Sequence, residues 1–234
     1  MSVEERNLDH NKIMLPGANA DSLRDRLYEY LRGEMEKGNL PPGAFIKVKA
    51  ICEKLRISKT PLRDALLRLE AEGLVTFHPQ SGISISGLEI EDIRFLFETI
   101  GACECILIDT VFHKFDAFHH NLLERLNLEM KSAIQRGDYI AYRKPHWDFH
   151  ELFVELGGNE VARRIITPIK LRLWDFPRRR YHQQWEMMAC EEHEMITNAI
   201  IEKNKTEAIR VIKELHWNFS YNEPYIRWVY YSEK

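Results

Sequence analysis

No stretch of this 234-residue chain approaches the roughly 20 consecutive apolar residues that a helix needs to cross a bilayer. A membrane span is therefore not expected. The first residues, Met1 to Asn11, are charged and lack an apolar core, so the pattern of a secretory signal is missing as well. Cysteine is scarce: only Cys52, Cys103, Cys105 and Cys190 are present, and no two stand as Cys-x-x-Cys. Cys103 and Cys105 fall in an apparent helix, where side chains two apart diverge. Reduced, buried thiols in a cytoplasmic protein are expected. Charge of one sign is lacking too. A formal net charge of −3 gives no bulk attraction to nucleic acid, so any such affinity has to come from a local surplus.

Residues 1–20 are polar, end in Pro16-Gly17-Ala18-Asn19-Ala20 and have little to bury; they read as a loosely held tail. Asp21 or Ser22 can cap a helix with apolar positions at Leu23, Leu27, Tyr30 and Leu31, stopping near Gly38. Leu40-Pro41-Pro42-Gly43 is a turn, because two prolines withhold the donors a helix needs. Phe45 to Val48 suggests a brief strand. A short helix follows with Ala50, Ile51 and Leu55 on its apolar face. Ser58 is the expected N-cap of the next helix, with Pro61 in its first turn, apolar positions at Leu62, Ala65, Leu66 and Leu69, and Gly73 just beyond its end. Leu74 to Phe77 and Ile83 to Ile85 alternate like two strands around Pro79-Gln80-Ser81-Gly82, a β-hairpin.

From Leu88 the period becomes helical and stays so. Helices are predicted over residues 91–112, 119–135, 140–156, 161–172, 185–202 and 206–219, with breaks at Gly137-Asp138, Gly157-Gly158-Asn159, Phe176-Pro177 and Lys203-Asn204-Lys205. The expected fold is mainly α. An N-terminal winged helix-turn-helix over residues 21–87 carries a small β-hairpin wing, and an all-α bundle of six or seven helices fills residues 88–234.

Two tightly joined helices with basic residues at the start of the second are the form that inserts a recognition helix into the DNA major groove. Lys54, Arg56, Lys59, Arg63 and Arg68 outnumber the single nearby acid Asp64, and Lys47 and Lys49 add to the surplus. Lys59, Thr60 and Arg63 fall where side chains reach base edges. Arg63 suits bidentate guanine contact, while the hydroxyls of Ser58 and Thr60 suit phosphate. Charge alone equally describes a solvated helix face.

Four of the ten histidines are spaced suggestively. His146 and His150 are four apart, hence on one helix face. His193 and His216 lie in two later helices. Imidazoles converging from three helices can hold a first-row transition metal, although a histidine near an apolar face is also an ordinary hydrogen-bonded core residue. A metalloprotease would need Glu directly after the first histidine as general base, and that residue is Trp147.

The segments Leu40-Pro41-Pro42-Gly43, Ile57 to Leu66 and Leu69-Glu70-Ala71-Glu72-Gly73-Leu74-Val75 closely resemble the GntR family of bacterial transcription regulators. Lys59 stands where that family usually has Arg, and Asp64 where it has Glu. The lysine keeps the charge but loses bidentate geometry. Ser81-Gly82 matches the wing-tip glycine, Gly82, that the family places in the minor groove. Residues 88–234 resemble the FCD effector domain of the FadR subfamily. The Asp-x-x-Phe-His motif of that domain is matched by His146 to His150, its Glu-His pair by Glu192-His193, and its last ligand by His216. Here His146 replaces the usual Asp, and if Glu104 is the Glu of the first helix, the Arg four residues before it is Ile100.

The resemblance implies a homodimeric, ligand-responsive regulator of operator DNA, repressing more readily than activating. His146, His150, His193 and His216 would bind a divalent transition metal, zinc first and nickel or iron as alternatives, with a small carboxylate effector beside it. Arg172, Trp174 and Phe149 are the residues expected to face that effector; the run Arg178-Arg179-Arg180 reads as a solvated loop. Two rivals remain: a metal-dependent hydrolase fused to a DNA-binding module, and a metal-free sensor whose histidines bind an anion directly.

Overall fold

The computed structural model describes residues 22–175 and 181–231, with only the backbone for Trp174 and Asp175. The predicted tail and the Arg178–Arg180 run lie outside these residues. The chain divides into two compact units between Gly87 and Leu88.

In the first unit, α1 (Leu23–Glu36) starts where the Ser22 hydroxyl accepts from the Asp25 amide, and ends before Gly38 at φ +75°. Its buried positions Leu27, Leu31 and Met35 recur every four residues and lie against Leu62, Ala65, Leu66 and Leu69 of α3 (Lys59–Ala71). Burial of each such side chain contributes about 1.5–3 kcal/mol. The shorter α2 (Val48–Leu55) packs against α3 with no fully buried residue, and Ala50, expected on its apolar face, is exposed. The turn between them is closed by Arg56 in the left-handed region at φ 54°, while the Ile57 amide reaches back to the Cys52 carbonyl. Ser58 occupies the N-cap position of α3 with extended backbone, but its hydroxyl makes no capping bond.

Strands β1 (Val75–His78) and β2 (Gly82–Ile85) pair antiparallel, His78 opposite Gly82. The strand expected over Phe45 to Val48 reduces to a single bridge between Phe45 and Ser84, supported by the Ile46 amide on the Ile83 carbonyl. Helix α2 already begins at Val48, which removes the backbone groups a longer strand would pair.

The second unit is built of α4 (Ile90–Val111), α5 (Ala117–Gln135), α6 (Tyr139–Gly157), α7 (Glu160–Asp175), α8 (Gln183–Ile201), α9 (Lys205–Val211) and α10 (Phe219–Tyr231). Helix α5 packs on α6 and α8, and α4 on α6 and α7, around one apolar core. The helix predicted over residues 206–219 is in fact α9 followed by one π turn, Ile212–His216, in which the Trp217 amide reaches the Ile212 carbonyl at 2.9 Å. Asn218 then starts α10, which the sequence reading missed because Pro224 lies inside it. All four cysteines are free; only Cys190 is buried, and the other three are half-buried rather than enclosed as expected.

Candidate functional site

The π turn matters because it ends at His216. Single π turns widen a helix by one residue and re-aim the side chains that follow. Asn222, buried on α10, holds this turn: its side-chain amide donates to the carbonyls of Leu215, His216 and Asn218, while its oxygen accepts from the Trp185 indole at 2.7 Å. On α6, the spacing of four stacks His146 above His150. Helix α8 brings in His193, whose ring stacks on Phe149 at 4.2 Å. One ring nitrogen from each of His146, His150, His193 and His216 lies within 4.8 Å of the others, and all four residues are buried.

Two carboxylates orient this cluster. Glu104 of α4 accepts from His150 Nδ1 at 3.0 Å and from the Trp217 indole at 2.7 Å, and Glu192 of α8 accepts from His216 Nδ1 at 2.8 Å. Burial acts to raise the Glu104 pKa, but His150 and the buried ammonium of Lys170, 2.6 Å away, hold it well below the carboxylate range. A carboxylate can only accept hydrogen bonds, so His150 and His216 each carry their proton on Nδ1 and present an Nε2 lone pair. Those two Nε2 atoms are 3.1 Å apart, and His193 Nε2 is 3.2 Å from that of His150. Burial pushes the His150 pKa down to about 4 even against the pull of Glu104. Burial and the neighbouring imidazoles push that of His193 well below its usual value. The His150 and His216 Nε2 atoms, facing each other with both Nδ1 atoms committed to carboxylates, repel one another unless a cation stands between them.

These residues fit a transition metal. Nitrogens at about 2.0–2.1 Å from a tetrahedral ion are about 3.3 Å apart, close to the separations of His150 Nε2 from those of His216 and His193, while the set that includes His146 spans up to 4.8 Å. The carboxylate–imidazole pairs are the usual outer support of a metal-binding histidine. Lys170, which sequence reasoning missed, sets a buried cation against Glu104, while Ile100, one turn before Glu104, is fully buried. A lysine between Ile169 and Leu171 carries no signal for this in the sequence. Asp148 pairs with Lys144 at 2.6 Å and stays outside the cluster.

His146 and His216 also form part of the wall of a cavity of about 50 Å³. The expected effector residues fare differently. Arg172 is not in this wall; its neighbour Leu173 is, and the guanidinium lies 3.9 Å from Asp92. Adjacent positions on a helix point about 100° apart, so only one of the two can face the cavity. Phe149 is fully buried as a platform for His193 rather than as a cavity residue, and the side chain of Trp174 lies outside the described residues.

In the first unit Ser58, Lys59, Thr60 and Arg63 are exposed at the start of α3, Lys47 and Lys49 are exposed at the start of α2, and Gly82 is exposed at the hairpin tip with φ +111°. Arg68, grouped with them from its charge, is instead engaged: its guanidinium lies 3.7 Å over the Tyr28 ring and bonds Asp25 and Glu72. It braces α3 against α1, nine residues beyond the helix start, and its side chain stays partly exposed.

A helix-turn-helix with a β-hairpin wing, joined in one chain to a helical bundle with a buried histidine cluster, is the architecture of a DNA-binding protein with a second, separate domain. Residues 23–85 match the family described as bacterial regulatory proteins, gntR family, and residues 96–216 match the FCD domain. The chain belongs to the GntR family and carries an FCD domain; it is a DNA-binding transcription regulator. The HTH-type regulator YdhC of Bacillus subtilis is 23% identical over 62% of this chain and 65% of its own length, just under two thirds. The HTH-type transcriptional repressor GlaR of Escherichia coli is 21% identical over 80% of this chain and 89% of its own. The solved structure of E. coli McbR/YncC superposes with a TM-score of 0.73 at 17% identity, covering 89% of this chain and all of that one, a likeness of fold.

Proposed function

We propose that the chain is a homodimeric, cytoplasmic repressor. In this reading its second domain holds a divalent transition metal on His146, His150, His193 and His216, and senses a small carboxylate beside it. The observation that carries the metal is the pair of His150 and His216 Nε2 atoms 3.1 Å apart, each backed by a carboxylate on Nδ1, with His193 Nε2 3.2 Å from His150. FCD domains often bind metal. An all-imidazole set favours zinc, with nickel or iron as alternatives, over magnesium, calcium or manganese. A bound ion would supply a positive centre for an anionic effector, while the protein holds the four rings and shapes the cavity. Repression is supported by relatives named as repressors.

On the DNA side, Arg63 reads guanine while Lys47, Lys49, Ser58, Lys59 and Thr60 hold phosphates and Gly82 approaches the minor groove. Effector binding favours one arrangement of the bundle and so shifts operator affinity by linkage. Metal analysis of protein purified without chelator tests the centre. One ion per chain is expected in the wild type and none in His150→Ala. A metal-free wild type that still binds anions at this cavity would establish the metal-free sensor instead.

A further inference from the structure

A second cavity, of about 220 Å³, opens between α5 and α8 and shares no wall residue with the one beside the histidines. Its polar wall comes from Glu124, Asn127 and Lys131 on α5 and from Glu194, Thr197 and Asn198 on α8. Spacings of three and four residues keep each set on one helix face. Asn127 is more than nine-tenths buried, and its side-chain oxygen has no hydrogen-bond partner among the described residues. A buried acceptor in that state is costly, so the group calls for a donor from outside the chain. Thr197, equally buried, gives its proton to the His193 carbonyl at 2.8 Å, which leaves its oxygen as a second acceptor. Lys131, the one cation in this wall, is held by Glu194 at 2.6 Å, and Glu124 adds an exposed carboxylate. The wall is rich in acceptors and short of donors.

We infer that this cavity is a second ligand site, one that takes a short, doubly protonated diamine. One ammonium group supplies the donors that the oxygens of Asn127 and Thr197 lack, and the other meets the carboxylates of Glu124 and Glu194. An anion would face those two carboxylates with Lys131 already engaged. Size agrees as well. A cavity of about 150 Å³ takes up benzene, so about 220 Å³ suits a molecule of roughly six to nine non-hydrogen atoms. Through Thr197 the site is tied to the turn of α8 that carries His193. It exists whether or not the histidine cluster holds a metal.

The test is calorimetric titration of the full-length protein at physiological salt with 1,4-diaminobutane and 1,5-diaminopentane. Butylamine carries a single ammonium group, 1,4-butanediol donates without charge, and succinate has a similar span with the opposite charge. At least one diamine is expected to bind about tenfold or more tighter than butylamine and butanediol, with no binding of succinate. Asn127→Leu removes the acceptor at nearly the same side-chain volume and should weaken the diamine about tenfold. Diamine affinity that survives Asn127→Leu unchanged, no margin over butylamine or butanediol, or succinate binding as tightly as the diamines overturns the inference. So does the absence of any diamine binding, the outcome expected if a second copy of the chain covers this groove. Should Asn127→Leu fail to fold, Glu124→Gln at the exposed rim decides in its place: a loss of about threefold is expected, and unchanged affinity overturns the inference.

Discussion

Arg63 and Lys170 are both cations on helices, and their surroundings give them opposite consequences. Arg63 is exposed one turn into α3, so its removal costs the fold nothing. A good bidentate base contact contributes about 1–3 kcal/mol of discrimination. Arg63→Ala should therefore weaken specific operator binding about ten- to a hundredfold at an unchanged melting temperature, read by fluorescence anisotropy and thermal unfolding; unaltered affinity and salt dependence would reject the recognition-helix assignment. Lys170 is buried against Glu104. Lys170→Met leaves that carboxylate buried without its cation, a loss of about 3–5 kcal/mol in denaturant titration. The double variant Lys170→Met/Glu104→Gln should lose less, because no charge is then stranded. A double variant less stable than the single one would show that the pair is not an electrostatic unit.

Helix α4 and the π turn approach each other so closely that only glycine fits between them. A Cβ on Gly101 would stand 2.8 Å from Trp217 Cβ. Trp217 follows His216 and donates to Glu104, so pushing it aside disturbs two supports of the histidine cluster at once. Gly101→Ala should cost about 1–3 kcal/mol of stability from overpacking and lower zinc affinity in a chelator competition. Gly33 in α1 has nothing within 4 Å of its would-be Cβ. Gly33→Ala should stabilise by up to about 1 kcal/mol through helix propensity alone. Equal effects of the two substitutions would mean that α4 and the π turn are not tightly packed.

At the scale of the whole molecule, repression through paired recognition helices requires two copies. Light scattering should give twice 27.8 kDa for the protein in solution, and a monomer bound to a pseudo-palindromic operator would contradict the proposed arrangement. The net charge of −3 is no obstacle to DNA binding. The exposed cations Lys59 and Arg63 stand in the first turns of α3 and Lys47 and Lys49 at the start of α2, and it is such local charge that counts, because phosphate attraction falls off within about 10 Å at moderate salt.

What the sequence by itself determined was local. Ser22 and Ser58 mark helix starts, Gly38 and Gly73 follow helix ends in the left-handed region, and leucine spacing sets the buried faces of α1 and α3. These depend on capping and period, which act over a few residues. The i, i+4 pairing of His146 and His150 belongs to the same class. Only the tertiary structure decided which partners these groups meet. Arg68 and Lys170 read alike as helix cations, yet one lies over Tyr28 and the other is buried on Glu104, because the neighbouring helix surface and not the local sequence sets their surroundings. The π turn and α10 were hidden behind Asn218 and Pro224, and depend on Asn222 holding three carbonyls from within the packed bundle. The inward aim of the Nε2 atoms of His150 and His216 arises in the same way. It follows from Glu104 and Glu192 on two other helices, a juxtaposition that exists only once the bundle has closed.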